Sequence, residues 1–226
     1  MIIAIDGPAA TGKSTSAKLL SKKLGFTYLD TGAMYRCVTL LILKNNVEIK
    51  NHSHLDSLLM QFQLDIKKNK KDYLFFLDGE DVSTDIRSTE VTNNVSVVSA
   101  LPVVRKKLVS IQRKIAENQD SVVEGRDIGT VVFPDADIKF FIVADTIVRA
   151  KRRQLDLKKI GEVKTIDSLV KEISDRDNYD SRRKISPLSK AIDAIEVNTT
   201  NTTIDEQVDF MVNKVKLLIK EKNKYE

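Results

Sequence analysis

Residues 7 to 14 read Gly-Pro-Ala-Ala-Thr-Gly-Lys-Ser, a G-x-x-x-x-G-K-S pattern. The apolar run Ile2 to Ile5 precedes it, and residues 14 to 24 follow with the 3.6-residue period of an amphipathic helix. A strand, a glycine-bearing turn and a helix in this order form a phosphate cradle. Gly7 and Gly12 let backbone N–H groups converge on phosphate oxygens, and the helix start adds partial positive charge. Pro8, Ala9, Ala10 and Thr11 lie between those glycines, and Thr15 follows Ser14. Lys13 is placed to meet the outer phosphates of a nucleoside triphosphate, and the Ser14 hydroxyl to ligand magnesium.

Other candidates fall at the ends of later strands. Asp30-Thr31-Gly32-Ala33-Met34-Tyr35-Arg36 follows a short strand at Phe26 to Leu29. A hydroxyl, an aromatic ring and an arginine together suit a sugar, a base and a phosphate. The alternative is that Thr31 merely caps a helix and Arg36 lies on the surface. Gly125-Arg126-Asp127 follows a third strand, Ser121 to Val123. Arg149 and Arg153 stand four residues apart and share a helix face. Asp175-Arg176-Asp177-Asn178-Tyr179-Asp180-Ser181-Arg182-Arg183 is too polar for a core. It is either a solvated helix or a lid that excludes water from phosphoryl transfer.

The elements that must position these groups alternate strand and helix, except in the middle. Residues 47 to 64 read as a polar loop with a short helix. Leu64 to Ile66 and Tyr73 to Leu77 read as a hairpin, with a turn at Asp78 to Asp81 and an extended piece from Val82 to Ile86. Helices are expected over 33–43, 88–100, 102–118 (Pro102 in the first turn), 145–155 and 204–220, and strands at 138–143 and 194–197. The sum is an α/β fold with five core strands in an open parallel sheet, ligands binding at the strands' carboxyl ends.

Composition excludes several classes. The 226 residues carry 37 Lys and Arg against 32 Asp and Glu, a net +5. That excess is modest, and no RNA-recognition signature accompanies it, so no nucleic-acid partner is expected. No apolar run approaches the roughly 20 residues that span a membrane. The chain begins inside a strand, with no leader expected. Cys37 is the single cysteine, which fits a reducing cytoplasm and a small core side chain. Sequons such as those at Asn94, Asn198 and Asn201 are then coincidental. His52 and His54, in a polar loop without Cys or carboxylate neighbours at ligand spacing, make no zinc site. Asn69-Lys70-Lys71-Asp72 has the N-K-x-D spacing of guanine readers, but at a hairpin tip rather than after a buried strand. No D-x-x-G switch accompanies it, so a GTPase is disfavoured.

Taken in order, the phosphate loop, Asp30 to Arg36, Gly125 to Pro134, the insert with Leu77 to Val82 and Ile86 to Val91, and the run from Arg176 to Leu188 resemble the bacterial cytidylate kinases. The insert distinguishes that family from adenylate and uridylate kinases. The resemblance implies the P-loop nucleoside monophosphate kinase fold: a five-stranded parallel sheet flanked by helices, with a small β-rich acceptor-binding insert and a helical lid. It implies a single kinase domain, with core over 1–60, 88–155 and 188–226, insert over about 61–87 and lid over about 156–187. The implied reaction moves the γ-phosphoryl group of ATP, with Mg2+, to CMP and dCMP. By resemblance, the loop from Gly7 to Thr15 holds ATP with Arg149 and Arg153, and Lys13, Arg126, Arg176 and Arg183 are catalytic. Thr31, Tyr35, Arg36, Ser96, Arg105, Arg126, Asp127, Asp180 and Arg183 hold CMP, with Ser96, Arg105 and Asp127 reading the base edge. Tyr179 stands where some relatives have arginine and receives no role. With no long heptad or broad exposed apolar face, a cytoplasmic monomer is the expectation. Kinases for other monophosphates, such as UMP or AMP, remain the nearest alternative, and an RNA-binding protein a distant one.

Overall fold

The computed structural model describes residues 1–69, 73–159 and 161–224. The chain divides into two compact units, one of residues 1–29 and 116–226, the other of residues 30–115.

In the first unit, β1 (Ile2–Asp6), β2 (Thr27–Asp30, its last residue opening the second unit), β6 (Ser121–Glu124), β7 (Ile138–Val143) and β8 (Ile195–Asn198) form one sheet in the order β2-β6-β1-β7-β8. β1 pairs in parallel with β6 and with β7, and β7 with β8. Central strands of a parallel sheet are covered on both faces, so they read as continuous apolar runs rather than alternating ones. Ile3, Ala4 and Ile5, Val122 and Val123, and Phe140 and Ile142 are accordingly buried. Helix α1 (Lys13–Leu24), with Ala17 and Leu20 buried, packs on α8 (Ile204–Lys222), with Val208, Met211 and Val215 buried. Thr203 caps α8 in a reciprocal box with Glu206. Helices α6 (Thr146–Lys159) and α7 (Ile166–Arg182) form a hairpin whose apolar faces meet in Ala150, Leu157, Leu169 and Ile173.

The second unit holds α2 (Thr31–Lys44), α3 (His52–Gln61), α4 (Thr89–Val98) and α5 (Pro102–Ala116). It also contains a three-stranded antiparallel sheet of β3 (Leu64–Lys68), β4 (Tyr73–Leu77) and β5 (Glu80–Asp81). Its core includes Met34, Cys37, Val38, Leu55, Phe75, Ile86 and Leu108. Burial pushes the Cys37 thiol up to about 12.

Several sequence expectations need correction. The piece from Val82 to Ile86 is not extended. Asp81 Oδ1 accepts both the Ser83 amide and hydroxyl, which turns the chain into a 3-10 turn at Asp85–Arg87. His52 and His54 are not in a loop but open α3, because the Asn51 side chain accepts the His54 amide and starts a helix there. Asp30, not Thr31, caps α2, accepting the Ala33 amide at 2.8 Å. Residues 156 to 159 continue α6, since Leu157 has the hairpin core to enter. The Lys70, Lys71 and Asp72 part of the N-K-x-D pattern lies outside the described residues.

Candidate active site

The phosphate loop leaves β1 at Asp6 and enters α1 at Lys13. Its path depends on positive φ at Gly7 (+147°), Ala10 (+57°) and Gly12 (+92°). At Gly7 a Cβ would stand 2.1 Å from the Ile142 carbonyl oxygen of β7, so only glycine lets the loop leave the sheet here. The base of the loop is tied from several sides. Thr199 Oγ1 donates to Thr11 O at 3.0 Å, and Arg152 Nη1 reaches the same carbonyl at 3.3 Å. Together these contacts hold the loop in place ahead of α1, whose N-terminal amides can cradle an anion.

Lys13 is buried and its Nζ donates to Pro8 O at 2.5 Å. Burial and then the Arg126 charge push it down to about 7, against the pull of Glu124 and Asp6. Ser14 Oγ donates to Glu124 Oε2 at 2.9 Å, and Tyr28 OH donates to Oε1 of the same carboxylate. This pair offers hard oxygen ligands at the mouth of the loop, the type magnesium takes. No group of three or more His, Cys, Asp or Glu side chains that could hold a metal occurs among the described residues. A magnesium ion there would need phosphate oxygens to complete its shell, which is how that ion usually binds beside nucleotides.

Asp6 Oδ1 accepts the Ile128 amide at 2.8 Å and Oδ2 the Gly129 amide at 2.7 Å. It thereby fixes the π-helical turn Ile128–Val132 that follows Gly125-Arg126-Asp127. Burial, the largest effect, pushes the Asp6 carboxyl up to about 6 although these two bonds oppose it. Arg126 Nε donates to Asp180 Oδ2 of α7 at 3.1 Å. Arg183 Nη2 stands 3.6 Å from Asp127 Oδ1, both side chains 5% exposed. Arg176, also on α7, is pushed down to about 10 by burial and by Arg126, against Asp180 and Asp177. Its Nε is buried with no hydrogen-bond partner among the described residues. A guanidinium with an unmet buried donor beside a second guanidinium is a site shaped for an anion.

A cavity of about 410 Å3 opens beside the loop, lined by Ala10 to Thr15 and by Arg152, Leu155, Asp156, Lys159, Ile204 and Gln207. Loop amides on one side and two aliphatic side chains on the other suit a phosphate chain ending in a flat ring.

In the second unit, Arg105 Cζ lies 5.5 Å over the Tyr35 ring, and its Nη1 donates to Ser99 O at 3.3 Å. Arg105 is 4% exposed and Tyr35 7%. Arg36 Nη1 donates to Thr92 Oγ1 at 2.8 Å and to Ile86 O at 3.3 Å, so it is held rather than loose on the surface. Thr31 is buried at the start of α2, and Ser96 is half-buried on α4.

The structure thus gathers Lys13, Arg126, Asp127, Arg176, Asp180 and Arg183 in the first unit, and Thr31, Tyr35, Arg36, Ser96 and Arg105 in the second. Arg149, expected to contact the donor, bonds Ala9 O, Asp177 and Thr146, and Arg152 lines the cavity. Arg153 stands close enough to Arg176 to act on its charge. Asp6, Glu124, Asp177 and Thr199 escaped the sequence reading. Asp6 and Glu124 left one signal, a lone carboxylate closing an apolar strand.

The cytidylate kinase family profile matches residues 3–217. The chain belongs to the cytidylate kinase family. A cytidylate kinase of Fusobacterium nucleatum subsp. nucleatum is 47% identical over 216 residues, 95% of this chain and 97% of the relative. One of Protochlamydia amoebophila is 51% identical over 212 residues, 92% of this chain and 93% of the relative. Among solved structures, a shikimate kinase from Bacteroides thetaiotaomicron aligns with TM-score 0.51 at 13% identity, over 96% of this chain and 98% of its own. At that identity the likeness speaks to the fold alone, a parallel sheet flanked by helices. Family membership makes the chain an ATP-dependent nucleoside monophosphate kinase. Among the described residues no helix is long and apolar enough to cross a membrane.

Proposed function

We propose that this chain transfers the γ-phosphoryl group of ATP to CMP, and to dCMP, giving ADP and the nucleoside diphosphate. The observation that carries this reading is the pairing of a phosphate loop holding a buried lysine with a buried arginine group in the same unit. Phosphoryl transfer needs positioning and charge neutralisation rather than a side-chain nucleophile. The loop amides and Lys13 hold the donor phosphates. Arg126, Arg176 and Arg183 neutralise the acceptor phosphate and the group in flight. Ser14, with Glu124 behind it, would hold Mg2+, which supplies charge compensation on the phosphate oxygens when bound.

The acceptor's base would be read by Asp127, Arg105 and Ser96. Cytosine offers an amino donor at N4 and acceptors at N3 and O2. A carboxylate accepts and a guanidinium donates, so both suit cytosine and oppose uracil at N4/O4 and N3. Mismatched buried groups cost about 1–3 kcal/mol each. The enzyme acts as a monomer in the cytoplasm, in keeping with a buried free Cys37.

The deciding experiment is an acceptor panel of CMP, dCMP, UMP and AMP in a coupled ADP-release assay. CMP and dCMP should lead in kcat/KM, and Asp127→Ala and Arg105→Met should narrow the ratio of CMP to UMP. Preferred turnover of UMP or AMP would overturn the substrate. Proportional losses with both acceptors would overturn the base pocket while sparing the kinase.

A further inference from the structure

Ala9, at the crest of the phosphate loop, has both backbone polar groups taken by a single ion pair. Asp177 Oδ1 accepts the Ala9 amide at 3.1 Å. Arg149 Nη1 donates to Ala9 O at 3.0 Å and to Asp177 Oδ2 at 2.5 Å. The two side chains are 18% and 7% exposed, and they come from different helices, α7 and α6. Arg149 Nη2 is tied back to Thr146 Oγ1 at 3.1 Å, which fixes the plane of the fork. The next residue, Ala10, has a φ of +57° and packs on the Ala150, Leu157, Leu169 and Ile173 cluster between the same helices.

Nothing in the phosphate-loop pattern calls for a carboxylate at its crest. An acid there repels phosphate unless its charge is spent elsewhere, and here it is spent on Arg149 and the Ala9 amide. A non-glycine residue at positive φ persists only where its surroundings over-determine it. The clamp on Ala9 and the apolar seat of Ala10 supply that. Asp177 also stands one residue from Arg176 and three from Asp180, which holds Arg126. Movement of α7 is therefore transmitted to the crest of the loop and to the arginines together.

We infer that Asp177 is a positioning residue that, through Arg149 and both backbone polar groups of Ala9, sets the crest of the phosphate loop against the phosphoryl group in transfer. This rests on the kinase reading above. The backbone amides from Gly12 to Thr15, which would meet the inner phosphates, lie past the clamp in the chain. Loss of Asp177 should therefore misplace the transferring group without loosening the grip on ADP.

The test compares Asp177→Ala and Asp177→Asn with the wild type. Asn retains an acceptor for the Ala9 amide but not the charge facing Arg149. Asp177→Ala should lower kcat about 100-fold, the penalty of a misplacement of roughly 1 Å. KM for ATP and the Kd for ADP by calorimetry should stay within about three-fold. Asp177→Asn should recover about ten-fold of the lost kcat. A kcat within three-fold of wild type in the Ala variant, an ADP affinity that falls in step with kcat, or an Asn variant no better than Ala would each overturn the proposal. If the Ala variant does not fold, the Asn variant decides: about ten-fold slower with ADP affinity unchanged supports the clamp, and wild-type kcat overturns it. Hydrogen exchange at the Ala9 amide, followed by NMR, needs no acceptor and so separates the clamp from the kinase reading. It should quicken at least ten-fold in Asp177→Ala and far less in Asp177→Asn, and unchanged exchange overturns the clamp whatever the turnover.

Discussion

Replacing Gly7 with alanine should damage both stability and turnover. The added Cβ would lie 2.1 Å from Ile142 O, 3.1 Å from Ile142 C and 3.2 Å from Ile142 N, all backbone atoms of β7. No side chain can swing away. Ordinary contact would require β1 and β7 to part by roughly 1 Å where Asp6 pairs with Phe141, or the loop to leave β1 on another path. Holding alanine at a φ of +147° costs about 1–3 kcal/mol, and crowding a packed interior about 1–3 kcal/mol more. The total, about 2–6 kcal/mol, is a large share of the 5–15 kcal/mol typical of a folded domain. Gly25→Ala is the matched control. Gly25 has a φ of +75° but nothing within 4 Å of its absent Cβ, so it should lose only the backbone contribution, about 1–2 kcal/mol. Urea denaturation of both variants reads the stabilities, and steady-state turnover at saturating ATP should fall about 100-fold for Gly7→Ala alone. Equal destabilisation of the two variants would refute the argument that close approach to Ile142 is what requires glycine at residue 7.

Other consequences are as direct. Lys13→Met should lower kcat by about 100-fold or more with an unchanged circular dichroism spectrum, because the buried ammonium meets charge that grows in transfer; near wild-type turnover would remove Lys13 from the chemistry. The folded-state value of the Asp6 carboxyl, about 6, lies above its ordinary 3.8, so the fold holds that proton more tightly than the unfolded chain does. The associated stability is complete below about pH 4 and disappears as pH rises through 6. It amounts to about 3 kcal/mol, and the gap between wild type and Asp6→Asn in urea midpoints should track it; a gap that does not change with pH contradicts it. Cys37, fully buried with its thiol pushed up to about 12, should react with a thiol reagent only after denaturation. Prompt reaction of the native protein would show that α2 opens.

The parts legible in the sequence are those written in neighbouring residues. Strand, glycine turn and helix around Lys13 follow one another within the first 24 residues, and Pro102 marks the start of α5 by its own geometry. Bonds that cross the chain were not legible. Asp177 reaches Ala9 across a separation of 168 residues, and Asp6 reaches Gly129 across 123. A charged run such as Asp175 to Arg183 gives no sign of which acid turns toward the loop and which toward Arg126. The i, i+4 spacing put Arg149 and Arg153 on one helix face, but spacing alone could not show that the Arg149 guanidinium was engaged with Ala9 and Asp177. The bend after Asp81 was missed for a related reason. A side chain captures the backbone there, and Val82 and Ile86 are apolar enough to read as strand.

The order of the main sheet has a consequence for how the chain assembles and varies. β2 and β6 lie side by side, with Thr27 N donating to Asp120 O at 2.9 Å, yet the whole unit from Asp30 to Ile115 runs between them. That unit is an excursion whose two ends return to adjacent strands. Closing such an excursion costs entropy that grows only with the logarithm of its length, about 0.6 kcal/mol for each doubling. Insertions and deletions between α2 and α5 therefore weigh little on the pairing of β2 with β6. The segment carrying Tyr35, Ser96 and Arg105 can lengthen, shorten or be exchanged while the strands that frame the phosphate loop keep their register.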